Sequence, residues 1–204
     1  DGFDDLVVAA PREDIGQTIN SGSVWILYGS DSGLRSESSW GFNQASSGIP
    51  GVNEENDLWG SALVSGDFNG DSYADLVIGA PYQDVGELVD AGSILVLLGG
   101  ATGLSSLNAM EFHQDTDGVP GANEVGDLWG NSLASADFNG DGYDDVIVGA
   151  PGESIGVIEN AGAFTVMFGS DQGLNADGSI LFHQGTPGIP GGPEEGDHWA
   201  ETLT

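Results

Sequence analysis

The sequence predicts an all-β fold of β-propeller blades, each a four-stranded antiparallel sheet, and three observations carry that prediction. The chain repeats itself with a 70-residue period and no insertion, most visibly at Ala10-Pro11, Ala80-Pro81 and Ala150-Pro151. Trp59, Trp129 and Trp199 keep the same register, as do Gly33-Leu34, Gly103-Leu104 and Gly173-Leu174, and Pro50-Gly51, Pro120-Gly121 and Pro190-Gly191. Within one period, four short apolar stretches are separated by turns rich in Gly, Pro and Asp, the pattern of a meander and not of helices. Four strands per repeat is how a propeller blade is built.

In the second and third repeats the first strand is expected at 61–68 and 131–138, ahead of an Asp-rich turn. The second, at 75–80 and 145–150, is apolar at consecutive positions, as a strand covered on both faces must be. The third, at 93–98 and 163–168, is nearly so, and neighbouring blades would cover both. The fourth, at 109–114 and 179–184, mixes polar and apolar residues such as Glu111-Phe112-His113, which suits an outer, half-exposed strand. The Gly- and Pro-rich segment 115–127 then crosses to the next sheet.

The repeats divide the chain into blades at 1–70, 71–140 and 141–204. Asp1-Gly2-Phe3-Asp4-Asp5 aligns with Asp141-Gly142-Tyr143-Asp144-Asp145, so the first blade lacks its first strand and the third is truncated. Rings close with about four to eight blades. The expectation is therefore a section of a larger propeller, or a ring completed by several chains.

Between the first and second strands lies Asp67-Phe68-Asn69-Gly70-Asp71-Ser72-Tyr73-Ala74-Asp75, repeated as Asp137-Phe138-Asn139-Gly140-Asp141-Gly142-Tyr143-Asp144-Asp145. Oxygen-bearing side chains stand at loop positions 1, 3, 5 and 9, and position 7 offers its backbone carbonyl. A hard cation such as Ca²⁺ takes about six to eight oxygens, and a tightly turning loop aims alternate side chains inward. Mg²⁺ suits this set less well, because it keeps several waters in a compact octahedron. Position 6 is the sharp turn that favours glycine, supplied by Gly2 and Gly142 but not by Ser72. Position 8 varies between Asp4, Ala74 and Asp144, which predicts an outward side chain. The ring at position 7 is expected to pack on the sheet. Three carboxylates in one loop repel each other without a counter-ion, so stability is expected to depend on metal.

Leu58-Trp59-Gly60, then 67–71, then Val77-Ile78-Gly79-Ala80-Pro81 resembles the FG-GAP repeat, with Trp in the Phe place, and the third repeat matches again through Gly149-Ala150-Pro151. Similar repeats build the β-propeller of integrin α subunits, where about seven blades close the ring, and occur in secreted bacterial proteins. The resemblance implies a calcium-stabilised fold, with Ca²⁺ ligands at Asp67, Asn69, Asp71, Tyr73 and Asp75, and at Asp137, Asn139, Asp141, Tyr143 and Asp145. Asp1, Phe3 and Asp5 form a half site on the same register. Ala9 and Ala200 depart from the pattern, replacing Gly in Gly-Ala-Pro and in Leu-Trp-Gly.

Asp and Glu number 33 against only Arg12 and Arg35, a formal charge of −31, so the surface repels nucleic acid and anionic membrane and attracts cations. Three divalent ions would offset only about six of those charges. Such acidity accompanies disorder when apolar residues are scarce, but here they make up 39% and fall in dense runs. The chain has no Cys, which leaves its redox compartment open, and no apolar run approaches the roughly 18 residues of a membrane span.

With neither Cys nor Lys, no G-x-S-x-G and no His recurring beside a Ser-Asp pair, no nucleophilic enzyme is predicted. The carboxylates that recur in every copy read as metal ligands, whereas an active site is singular. His113 and His183 share a register with Asn43, which points to a local hydrogen bond. The tryptophans read as interblade packing in preference to a carbohydrate-stacking row. Glu54, Glu124 and Glu194 with Asp57, Asp127 and Asp197 read as solvated carboxylates of the crossing loop.

The expected function is a calcium-binding extracellular or cell-surface scaffold for adhesion, with a protein or glycan ligand, no nucleic acid and no membrane insertion. The alternatives are a structural subunit that self-associates into a ring or filament, and an accessory propeller of a secreted hydrolase.

Overall fold

A computed structural model describes residues 2–37 and 39–204. Among the described residues there are eleven strands and no helix. They form three antiparallel meanders, one per repeat. The first sheet holds β1 (Leu6–Ala10), β2 (Ser23–Leu27) and β3 (Trp40–Phe42). The second holds β4 (Ala62–Gly66), β5 (Asp75–Ala80), β6 (Ser93–Leu98) and β7 (Ser105–Phe112), and the third β8 (Ser132–Ala136), β9 (Asp145–Ala150), β10 (Ala163–Phe168) and β11 (Asn175–His183). The first sheet has three strands where the other two have four. The longest stretch of helix being nil, no helix of the described chain is long and apolar enough to cross a membrane.

The middle strands explain why the blades stack. β5 is buried at every position, and its residues alternate between two cores. Leu76 and Ile78 join Val24, Ile26, Phe42 and Trp59 in the core between the first and second sheets. Val77 faces the other way and joins Trp129, Val146, Val148 and Met167 between the second and third. β6 repeats the alternation, with Leu95 and Leu97 on one side and Ile94 and Val96 on the other. Successive side chains of a strand point to opposite faces, so a continuous apolar run is what two covering neighbours require. Burying each such side chain contributes about 1.5–3 kcal/mol, which makes the stacking of sheets the main source of stability.

Two boundaries differ from the sequence reading, each for a local reason. β4 and β8 end at Gly66 and Ala136 instead of running through Phe68 and Phe138. The Phe68 and Phe138 amides are taken by the side chains of Asp75 and Asp145, which stops the ladder. The fourth strands begin earlier, because register shifts between Val96 and Leu98 and between Val166 and Phe168 let Ser105 and Asn175 pair again. Gln114 consequently lies beyond β7, in the turn that follows it.

The tryptophans pack between blades. Trp59 and Trp129 are 2% and 0% exposed. Their backbones lie against Gly22 and Gly92, where an added Cβ would meet the Trp carbonyl oxygen at 2.1 and 2.2 Å. Both glycines have φ near +90°, so backbone conformation and contact together require glycine.

Candidate metal centre

The two complete loops begin with Asx-type turns that their own composition dictates. In the second blade Asp67 accepts from the amides of Asp71 through Oδ1 at 3.0 Å and Ser72 through Oδ2 at 2.9 Å. Asn69 Oδ1 also accepts from Asp71 N, and Asp71 Oδ1 accepts from Tyr73 N at 2.9 Å. In the third blade Asp137 accepts from Gly140, Asp141 and Gly142, while Asp141 Oδ1 accepts from Tyr143 N at 3.0 Å. The position-three amides donate inside the loop, Asn69 to Asp71 Oδ2 at 3.1 Å and Asn139 to Asp141 Oδ2 at 2.8 Å.

Position 9 anchors each loop to its sheet. Asp75 Oδ2 accepts from Phe68 N at 2.9 Å and its Oδ1 from Gly99 N at 2.7 Å. Asp145 does the same with Phe138 and Gly169. In the first blade Asp5 Oδ1 accepts from Gly29 N at 2.8 Å, the equivalent bond, and Phe3 is half exposed beside it. Asp1 lies outside the described residues.

The donor set suits a hard, oxygen-seeking cation: three carboxylates, an amide oxygen and a main-chain carbonyl in each loop. Electrostatics point the same way. Burial pushes the Asp75 carboxyl up to about 6, the amides of Gly99 and Phe68 pull it down, and the charges of Asp71 and Asp67 raise it again. Asp145 is raised for the same reasons, burial first. A nearby divalent ion would reverse that penalty and hold the carboxylates ionised. Among the described residues no three carboxylate or imidazole groups already converge as a metal cluster, so ion binding would require these side chains to draw together.

Position 8 corrects the sequence reading. Asp144 does not point outward: its Oδ2 accepts from Asp67 N at 2.8 Å, and its own amide donates to Asp67 O at 3.0 Å. It therefore ties the third blade's loop to the second's. The Tyr143 ring also departs from expectation, lying over Gly70 of the preceding loop, where an added Cβ would come within 2.7 Å of it. Only the adjacency of two loops in space reveals these contacts, and a variable position within one repeat gives no hint of them.

Two of the three positions of the histidine register make the local hydrogen bond that the exchange with Asn predicts, whereas His113 Nδ1 lies 3.3 Å from Asn123 Nδ2, ten residues away. His183 Nδ1 accepts from Gly185 N at 3.0 Å and Asn43 Oδ1 from Ala45 N at 2.9 Å. Two of the three crossing-loop aspartates are not solvated as read: Asp57 and Asp127 are each 1% exposed, and their Oδ2 atoms accept from the amides of Glu54 and Glu124, whereas Asp197 is exposed.

With this geometry the chain can be set beside known proteins. The FG-GAP repeat profile matches residues 1–27, 59–97 and 129–167, together just over half of the chain. Bovine phosphatidylinositol-glycan-specific phospholipase D is 34% identical over 153 residues, covering 74% of this chain and 17% of that protein. Integrin alpha-PS2 of Drosophila melanogaster is 36% identical over 100 residues, 49% of this chain and 6% of its own length. Integrin alpha-3 of Cricetulus griseus is 29% identical over 135 residues, 65% of this chain and 11% of its own. The chain thus spans less than a fifth of each of these relatives.

Proposed function

The chain belongs to the FG-GAP repeat family, and from that premise we propose that it is a calcium-binding segment of an extracellular β-propeller serving as an adhesion scaffold for a protein or glycan ligand. The observation that carries this reading is the recurrence of one oxygen-rich loop, at the same place in successive blades, anchored each time by a buried aspartate. A function that recurs with the fold is a property of the scaffold. Resemblance to integrin α chains supports adhesion as its use.

Bound calcium would supply the positive charge that each loop lacks. Asp67, Asn69, Asp71, Tyr73 and Asp75, and their third-blade counterparts, are the residues that would hold it. The chain's own contribution is to fix the loop ends: position 9 fastens them to the sheet, and the backbone amides orient the carboxylates of positions 1 and 5.

Thermal melting during a calcium titration tests the proposal, and pH sharpens it. In the metal-free fold the Asp75 carboxyl is raised to about 6 from an ordinary value of 3.8. Its contribution to stability is therefore full below about pH 4 and is lost as pH rises through about 6. Calcium should raise the melting temperature most above pH 6, with the rise shrinking toward pH 4. No stabilisation at millimolar calcium, at any pH, would reject the calcium reading.

The likeness to phosphatidylinositol-glycan-specific phospholipase D favours a second reading, an accessory propeller beside a hydrolase. Assaying the full-length protein for phosphodiester hydrolysis, with and without this segment, separates the two.

A further inference from the structure

We propose that the joint between the second and third blades holds one exchangeable proton on the buried Glu153–Asp127 pair at neutral pH, and loosens when that proton is lost. This inference does not rest on calcium binding.

The turn after β9 sits directly on the loop that crosses from the second blade. Gly152 N donates to Asp127 O at 3.0 Å, and a Cβ on Gly152 would lie 1.8 Å from Gly126 O. Glu153 and Asp127 are buried in this contact, 7% and 1% exposed. Gln114, 1% exposed, reaches in from the turn after β7 and donates its Nε2 to Glu153 Oε2. Its own Oε1 is buried with no hydrogen-bond partner among the described residues, as is that of Gln44, its counterpart at the other joint. Glu124, on the crossing loop, adds a further negative charge that acts on both acids.

Little faces them that could balance this charge. His113 and Asp115 reach this joint through Asn123, whose Nδ2 is 3.3 Å from His113 Nδ1, whose N donates to Asp115 Oδ1 and whose Oδ1 accepts from Gln114 N. His198 Nδ1 lies 3.0 Å from Pro151 O, two residues before Glu153. The chain has no Lys, and both arginines, Arg12 and Arg35, belong to the first repeat.

The other joint shows how the repeat avoids the problem. Gln83 stands where the third repeat has Glu153. It accepts from Gln44 Nε2 through Oε1 and donates its Nε2 to Glu54 Oε2 at 3.0 Å, so a donor meets the crossing-loop carboxylate. An ionised Glu153 has no donor to give. A protonated Glu153 has one, the donor capacity that Gln83 supplies at the equivalent position of the other joint. Burial raises Asp127 to about 7, with the Glu153 charge next, the Glu124 amide pulling against it and the Glu124 charge adding to it. At the Gln83 joint Asp57 reaches only about 6.

Carboxyl-carbon NMR of the whole chain, titrated at saturating calcium, tests the proposal, because each acid is read separately. Asp127 should titrate above Asp57. Glu153→Gln, which installs the residue native at position 83, should bring the Asp127 midpoint down to that of Asp57, and Gln83→Glu should raise Asp57. The melting temperature of Glu153→Gln should be flatter than that of the parent chain between pH 6 and 8. Coincident Asp127 and Asp57 titrations, or an Asp127 midpoint unmoved by Glu153→Gln, overturns the proposal. So does a calcium titration that moves the Glu153 and Asp127 resonances together to saturation, since an ion would then occupy the proton's place.

Discussion

The loops at 67–75 and 137–145 occupy the same place in successive blades, and they share their anchors but not their outward ties. In both, the position-9 aspartate spans from the loop's second residue to the end of the third strand, through Phe68 and Gly99 in one and Phe138 and Gly169 in the other. At position 8, Asp144 reaches back to Asp67 N in the preceding blade, whereas Ala74 has no side-chain acceptor to offer. At position 6, Gly142 takes φ 95° and Ser72 takes φ 69°, so the same turn is made with and without glycine. Holding the loop to its own sheet is thus common to both copies, while the position-8 carboxylate tie belongs to the 137–145 loop and not to 67–75.

The largest effect should fall on the shared anchor. Asp75→Ala and Asp145→Ala each strip two backbone amides of their acceptor in a buried setting. An unsatisfied buried donor costs about 1–3 kcal/mol, so roughly 2–4 kcal/mol of stability should disappear in either variant. Urea denaturation reads this directly. Equal losses keep the anchor as the common element; a loss below about 1 kcal/mol at one of them breaks the equivalence of the loops.

The blade-to-blade tie comes next. Asp144→Ala removes a charge-assisted hydrogen bond across the joint, with an expected cost of about 1–2 kcal/mol. Ala74→Asp should gain nothing in return, because the added carboxylate lies next to Asp75, whose own ionisation is already opposed by burial and then by the charges of Asp71 and Asp67. Denaturation midpoints of the two variants give the contrast, and a stabilised Ala74→Asp would show that position 8 acts within the blade after all.

Much of this was legible in the sequence. The 70-residue register marks out the sheets, and the consecutive apolar residues of 76–78 and 146–148 announce strands covered on both faces, because local pattern and burial obey the same period. Loop chemistry was equally visible, since Asp, Asn and Gly at fixed spacing dictate the turns they form. What could not be read were contacts between repeats. Asp144 varies where a ligand would not, and only the position of Asp67 N in the neighbouring blade gives it a task. Asp57 and Asp127 look like surface charge in a Gly-rich segment, yet the stacking of a turn from the next blade buries them. The extent of the fourth strands depended on bulges that carry no composition signal.

The smallest effect concerns position 6 and isolates the backbone from the side chains. Ser72 is held at φ 69°, a left-handed conformation that costs an ordinary residue about 1–2 kcal/mol. Glycine escapes that cost but loses more freedom on folding, which returns part of the gain. Ser72→Gly should therefore stabilise the chain by only about 0.5–1 kcal/mol, and Gly142→Ser should destabilise it by a similar amount. Space does not interfere with the second change, since nothing lies within 4 Å of a Cβ placed on Gly142. Opposite signs of similar size in paired denaturation curves would assign the difference between the loops to this one dihedral. A Ser72→Gly variant no more stable than the parent would mean that the Ser72 N–H bond to Asp67 Oδ2 already holds the turn without measurable strain.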